Sequence, residues 1–225
     1  MVTDTWIGKR YLKSNGQMAK SCWVGAYYIN KKGNRTKKTR STGIWTQKGK
    51  TYFLNSNYQK AKSQWVVSAS GRYYYTDENG IVLTNQWVGN YYVGETGARV
   101  TSQKLQIDDK TYYFTSDGSK ATGIVTLNGK TYLFDRNGVM VTGWYNLSGK
   151  KVYYGSDGAM CYGEQRINGS WYCFNSSTGA MITGWYNLPG KKVYYGSDGK
   201  MVYGTQVIAG KTYRFNTKTG ALITS

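Results

Sequence analysis

The 225-residue chain contains no histidine, one proline, and 11 Asp and Glu against 30 Lys and Arg. Without histidine there is no imidazole base, no Ser-His or Cys-His pair and no His-based metal site. The near absence of proline alongside 29 glycines excludes a Pro-rich linker and marks the glycines as turn residues. No apolar run approaches the ~18 residues needed to span a bilayer. Cysteine is scarce and odd in number (Cys22, Cys161, Cys173), which argues against a disulfide framework. Cys161 and Cys173 occur together in one copy of an internal repeat and are replaced in the next by Val202 and Arg214, so one local bridge and two free thiols both remain open. No signal peptide opens the chain, and we expect a piece of a longer secreted or phage-borne protein that works at the cell-wall surface.

Tyrosine and tryptophan are abundant, at 23 and 8 against 5 Phe. Aromatics with a polar tip suit surfaces that are half buried and half wet. Residues 142–182 and 183–223 align without a gap, with 29 of 41 positions identical. A fixed period signals units that cannot bury a core alone and must stack. A shorter period of about 20 residues lies inside it. Each short unit has an aromatic or apolar strand position, in a series that includes Tyr11, Tyr27, Tyr73, Tyr91, Tyr132, Val152, Trp171, Val193 and Tyr213. An apolar partner follows on the same face, such as Tyr75, Val93, Phe134, Tyr154, Phe174 or Tyr195. Next come a glycine turn (Asn79-Gly80, Asp117-Gly118, Asp157-Gly158, Asp198-Gly199) and a short apolar strand such as Val139–Val141. These signals predict an all-β solenoid of about eleven stacked hairpins, since a lone hairpin is marginal in water. A tryptophan leads seven units, and stacking brings it near aromatics of neighbouring units.

The net charge of +19 is uneven: residues 1–62 carry 14 Lys and Arg against Asp4 alone. We therefore divide the chain into a strongly basic, irregular part (1–62) and a regular part (63–225) continuous with it. The densest patch holds Lys31, Lys32, Arg35, Lys37, Lys38 and Arg40, candidate contacts for an anionic polymer. The same residues also read as a solvated face that keeps an aromatic array in solution.

The segments Gly143-Trp144, Gly169–Phe174, Thr178–Met181 and Thr183–Trp185 resemble the cell-wall-binding repeat family. That family includes choline-binding repeats of Gram-positive surface proteins and wall hydrolases, glucan-binding repeats of glucan-synthesising enzymes, and repeats of clostridial toxins. The resemblance implies stacked hairpins with ligand pockets between neighbours. In choline-binding relatives the pocket is an aromatic box, two rings from one hairpin and one from the next, often closed by Met. It implies boxes here around Trp144, Trp171, Trp185 and Met181, and around Trp65, Trp87 and Tyr73. Tyr91, Tyr132 and Tyr213 join them as further aromatic candidates. Two units that keep Gly-Trp have Val152 and Val193 at the series position, so complete boxes are few and a glycan is favoured over choline. Glucan-binding relatives stack sugars on Tyr and Trp, with Gln165 and Gln206 among the residues available here for hydroxyls. Each leading tryptophan stands equally as packing between units.

No catalytic constellation, cofactor motif or metal cluster is present. Asp117, Asp157 and Asp198 occupy turn slots where Asp is expected for conformation. Asp108-Asp109, read as strand neighbours, point to opposite faces. Three classes remain: a non-catalytic module binding a bacterial wall polymer such as teichoic acid or an extracellular polysaccharide, an adhesin or toxin-like region binding host glycans or proteins, and a nucleic-acid binder. The last ranks lowest because no recognised nucleic-acid fold is present. The sequence leaves oligomeric state open.

Overall fold

A computed structural model describes residues 2–224. Among these there are 23 strands and no helix. The strands form eleven antiparallel sheets, ten of them two-stranded. The fold is therefore all-β and built of stacked hairpins, as the repeat predicts. No helix is long and apolar enough to cross a membrane. The chain packs as two compact units: residues 1–103 with 114–119, and 104–113 with 120–225. This packing division is distinct from the charge division at residue 62.

One hairpin shows the unit. Gly143–Leu147 pairs with Lys150–Tyr154, Trp144 facing Tyr153 across the strands. The joining turn is Ser148-Gly149, both at positive φ (50° and 80°). Such a turn matches the right-handed twist of the strands. Asn128-Gly129, Asn168-Gly169 and Ala209-Gly210 repeat it. The Asp-Gly turns do something else. Asp157-Gly158 follows the hairpin and leads into a return segment held by an isolated bridge, Tyr154↔Met160. The sequence reading assigns the hairpin turn to Asp-Gly, although Asn128-Gly129 and Asn168-Gly169 carry an equally strong signal one strand earlier. Asp108-Asp109 is likewise a hairpin turn (φ 48° and 60°) rather than strand.

The return segment joins the stack. Met160 N donates to Thr131 O of the preceding hairpin, and Cys161 N donates to Tyr153 O of its own, each at 2.8 Å. Met181 and Ile182 bond Lys151 O and Cys173 O in the same way, and in the other unit Arg99 and Val100 bond Tyr73 O and Tyr92 O. Successive amides of an extended segment point opposite ways, so two neighbouring residues bond two different hairpins. Burial does the rest. Past the first hairpin, whose strand end Leu12 is only partly buried, the last residue of the second strand is sealed: Ile29, Leu54, Val93, Phe114, Phe134, Tyr154, Phe174, Tyr195 and Phe215 are all at 2% exposure or less.

Two series positions shift by one residue. Thr76, not Tyr75, is the sealed strand end, so Tyr74 rather than Tyr73 sits inward. Tyr172, not Trp171, is the counterpart of Tyr132 and Val152. Both errors fall in runs of consecutive aromatics (Tyr73–Tyr75, Trp171-Tyr172), where alternation carries no register information. Arg35–Thr39, in the basic insertion, is a third strand paired with Tyr27–Ile29.

Candidate functional site: aromatic corners between hairpins

At two hairpin junctions of the C-terminal unit, a first-strand tryptophan meets the second strand of the next hairpin. Trp144 meets its cross-strand partner Tyr153 edge-on (centroids 5.0 Å, 69°) and Tyr172 of the following hairpin (4.9 Å, 66°). Phe174 closes the floor at 5.8 Å, and Met181 packs against the same cluster. Lys151 Nζ lies 4.7 Å from the Trp144 ring centroid. The arrangement repeats 41 residues later. Trp185 meets Tyr194 (5.2 Å), Tyr213 (4.9 Å) and Phe215 (5.9 Å), with Lys192 Nζ at 4.9 Å. Three rings set at steep angles form a corner of converging faces. A cation is attracted to such faces by the ring quadrupoles.

The alternate junctions are not aromatic corners. Leu133, Val152, Tyr154 and Met160 form one cluster; Cys173, Val193, Tyr195 and Met201 form the equivalent next. This explains the valines. Val152 belongs to the junction before Trp144, whereas Trp144 takes its wall from Tyr172 after it. Gly-Trp hairpins therefore have complete corners, contrary to the expectation that Val152 and Val193 break them.

Other expected residues are distributed as follows. Trp171 is exposed and lies on a different junction from Trp144, lining a cleft of about 190 Å³ with Glu164, Lys191, Met201, Tyr203 and Thr219. Glu164 accepts there from Tyr195 Oη at 3.4 Å and lies 3.6 Å from Lys191 Nζ. Gln165 and Gln206 donate to Tyr162 O (2.9 Å) and Tyr203 O (2.8 Å), bracing the chain between hairpins. Tyr132 is buried under Lys104 Nζ, 4.4 Å from its centroid. Trp87 packs on Tyr92 and Phe114. Trp65 meets Tyr75 (5.3 Å) and Tyr91 (5.4 Å), and Tyr73 joins them around the side chain of Arg99.

Three residues of the basic patch lie over rings, Arg35 and Lys38 still exposed and Arg40 partly buried. Arg35 lies over Tyr27 (4.7 Å), Lys38 over Tyr28 (5.5 Å), and Arg40 over Trp23 (5.0 Å) and Trp45 (5.5 Å). Burial lowers the Arg40 pKa, and its Nε donates to Gly25 O at 3.0 Å. Lys31, Lys32 and Lys37 are exposed. Sequence reasoning missed the middle tyrosines, Tyr153, Tyr172 and Tyr194, as corner walls. The signal was present: each stands across from a tryptophan or follows one in the next hairpin.

Acids and thiols are occupied structurally. Asp117 accepts from Thr115 Oγ1 and from Ser119 N, and these bonds hold its pKa at about 2. The Asp157 and Asp198 pKa values are also lowered, first by the Ala159 and Lys200 amides respectively. Cys161 and Cys173 are free thiols whose pKa values burial raises. Among the described residues no group of His, Cys, Asp or Glu could hold a metal ion.

Two family models, both described as choline-binding repeat, match: one at residues 121–147, 141–183 and 182–225, the other at 1–37, 59–99 and 81–120. Choline binding protein F from Streptococcus pneumoniae, solved in the presence of a peptidoglycan analogue, is 26% identical with a TM-score of 0.51, covering 96% of this chain and 75% of that one. The choline-binding domain of CbpL from the same species shares the fold (24% identity, TM-score 0.53, 93% and 100% covered). Glucosyltransferase-S of Streptococcus mutans is 31% identical over 96 residues, 40% of this chain and only 6% of the relative's length. With its repeated hairpins, its cross-strand tryptophans and these matches over most of its length, the chain belongs to the choline-binding repeat family.

Proposed function

We propose that the chain is a non-catalytic module that holds a Gram-positive cell-wall polymer, and so retains whatever it is joined to at the cell surface. The preferred ligand group is a quaternary ammonium of the choline type carried on that polymer. It sits in the corners Trp144/Tyr153/Tyr172 and Trp185/Tyr194/Tyr213. The observation that carries this is the edge-to-face geometry, with centroids 4.9–5.2 Å apart in both corners. Converging faces suit a compact cation, whereas a sugar ring needs one flat exposed platform.

The lysines fit this reading. Lys151 and Lys192 already place an ammonium against the tryptophans. A primary ammonium is strongly hydrated on a flexible stem. A quaternary ammonium gives up less hydration and displaces it. The freed lysine is then placed to meet a phosphate of a teichoic acid, and the exposed Lys31, Lys32 and Lys37 add attraction that needs no particular sequence of sugars.

A glucan is the second reading. It is favoured by the exposed face of Trp171 and by the likeness to a glucosyltransferase. An adhesin role remains the alternative class. Binding to purified Gram-positive walls, with and without teichoic acid and at low and high salt, tests all three. Release by choline and not by dextran is the expected result. Release by dextran alone makes the glucan reading correct. No wall binding transfers the search to host glycans and proteins.

A further inference from the structure

The N-terminal unit contains a cage built like the corners, and it is already full. Trp65 pairs with Tyr75 across the hairpin, and Tyr73 begins the same second strand. Tyr91 comes from the next hairpin, 5.4 Å from Trp65 at 77°. Between them lies the Arg99 guanidinium. Its Cζ is 4.1 Å from the Tyr73 centroid, 5.1 Å from Tyr91 and 5.7 Å from Trp65. Nε is buried and donates to no acceptor among the described residues, so the ring faces surround it, with the Asp117 carboxylate as a more distant counter-charge. The Gly118 turn covers the other side: a Cβ there would lie 2.6 Å from that Nε.

The position of Arg99 is a defined slot. Its amide donates to Tyr73 O just as the Met181 amide donates to Lys151 O. In the C-terminal unit this slot carries Met140, Met160, Met181 and Met201, each against the glycine of a following turn. Arg99 thus replaces a neutral methionine by a cation at a place where three aromatic faces converge.

We infer that Arg99 is the resident cation of the Trp65/Tyr73/Tyr91 cage, and that it determines specificity by excluding quaternary ammonium ligands from a site otherwise built for them. Arg40, among Trp23, Trp45 and Tyr58, shows the same device. Aromatic cages in this unit serve as internal cement, and ammonium recognition is left to the C-terminal corners. That last clause rests on the function proposed above, but the cage is tested apart from it.

The background is the full chain carrying Trp144→Ala and Trp185→Ala, so any remaining ammonium binding must arise elsewhere. The probe is tetramethylammonium, followed by equilibrium dialysis and by aromatic proton shifts. Replacing Arg99→Met in this background is expected to add one site, binding about tenfold or more tighter than the parent. Trp65→Ala then abolishes it, and Arg99→Lys, which keeps a cation, does not create it. A folded Arg99→Met chain without an added site overturns the inference. Should that variant not fold, the parent decides: tetramethylammonium must leave the Tyr73 and Tyr91 ring signals unmoved, and saturable shifts there overturn it equally.

Discussion

Trp144 and Tyr172 belong to different hairpins, 28 positions apart, yet their rings meet edge to face with centroids 4.9 Å apart. Under the proposed function the contact couples stability to binding, because the rings that cement two hairpins are also walls of the proposed ligand corner. Trp185 and Tyr213 repeat it at the same distance.

Removing a corner should therefore remove one site and loosen the packing on Phe174 or Phe215, while the strand ladders and the strand ends of the other hairpins hold the stack. Trp144→Ala or Trp185→Ala is expected to halve the choline stoichiometry of the chain, read by equilibrium dialysis. The double variant should lose wall retention by more than tenfold, since linked sites multiply apparent affinity. Undiminished stoichiometry in either single variant contradicts the assignment.

Charge acts on a different observable. Reversal at Lys31, Lys32, Lys37 and Lys38 should weaken wall binding at low salt and flatten its salt dependence, leaving free choline binding unchanged. Trp185→Ala should show the opposite pattern. Identical behaviour of the two would remove the distinction between corner recognition and general attraction.

Most turns after a hairpin keep glycine in the positive-φ slot, although Tyr58 fills the equivalent position at φ 59°. Gly158 has φ 78°, and a Cβ there would come 2.3 Å from Met140 Sδ. Gly158→Ala should cost about 1–3 kcal/mol from backbone strain and overpacking combined. Adding Met140→Ala should relieve the clash while leaving the φ penalty. Thermal or urea unfolding measures both. No destabilisation would show that the turn repacks freely.

Tyr154 is fully buried, and its hydroxyl has no partner among the described residues. Burial first, then Tyr162 and Tyr145, pushes its pKa up to about 12 from 10.0. The folded state therefore binds this proton more tightly than the unfolded one. The contribution is complete below pH 10 and declines as pH rises towards the folded pKa of about 12. Tyr154→Phe should change neutral-pH stability by no more than about 1 kcal/mol, because only an unpaired hydroxyl is lost. It should also flatten the alkaline decline. Part of that decline will persist through Tyr195, whose pKa burial also raises. An unchanged alkaline slope rules out Tyr154 as a source.

The repeat, the all-β class and the number of hairpins were legible because period and alternation report them directly. The strand ends Val93, Phe134 and Tyr195 were legible for the same reason. Register failed at Tyr73–Tyr75 and Trp171-Tyr172, where adjacent aromatics erase the alternation. The corners were assembled from the wrong partners, because the sequence points to Trp171 as the wall from the next hairpin, one residue out of register from Tyr172. Arg99, Lys151 and Lys192 escaped notice because a cation on a strand reads as solvent-facing until a ring is found beneath it.

The alternation of aromatic and aliphatic junctions limits how such a chain can lengthen. A hairpin presents one half of a junction on each side, and the two halves differ. The hairpin at 143–154 offers Val152 backwards and Trp144 forwards; that at 163–174 offers Tyr172 backwards and Cys173 forwards. Duplicating one alone would set Trp144 against a valine, or Tyr172 against a cysteine. Duplicating both copies every match intact. The unit that can be added intact is thus the pair, and the gapless 41-residue repeat between 142–182 and 183–223 has that length.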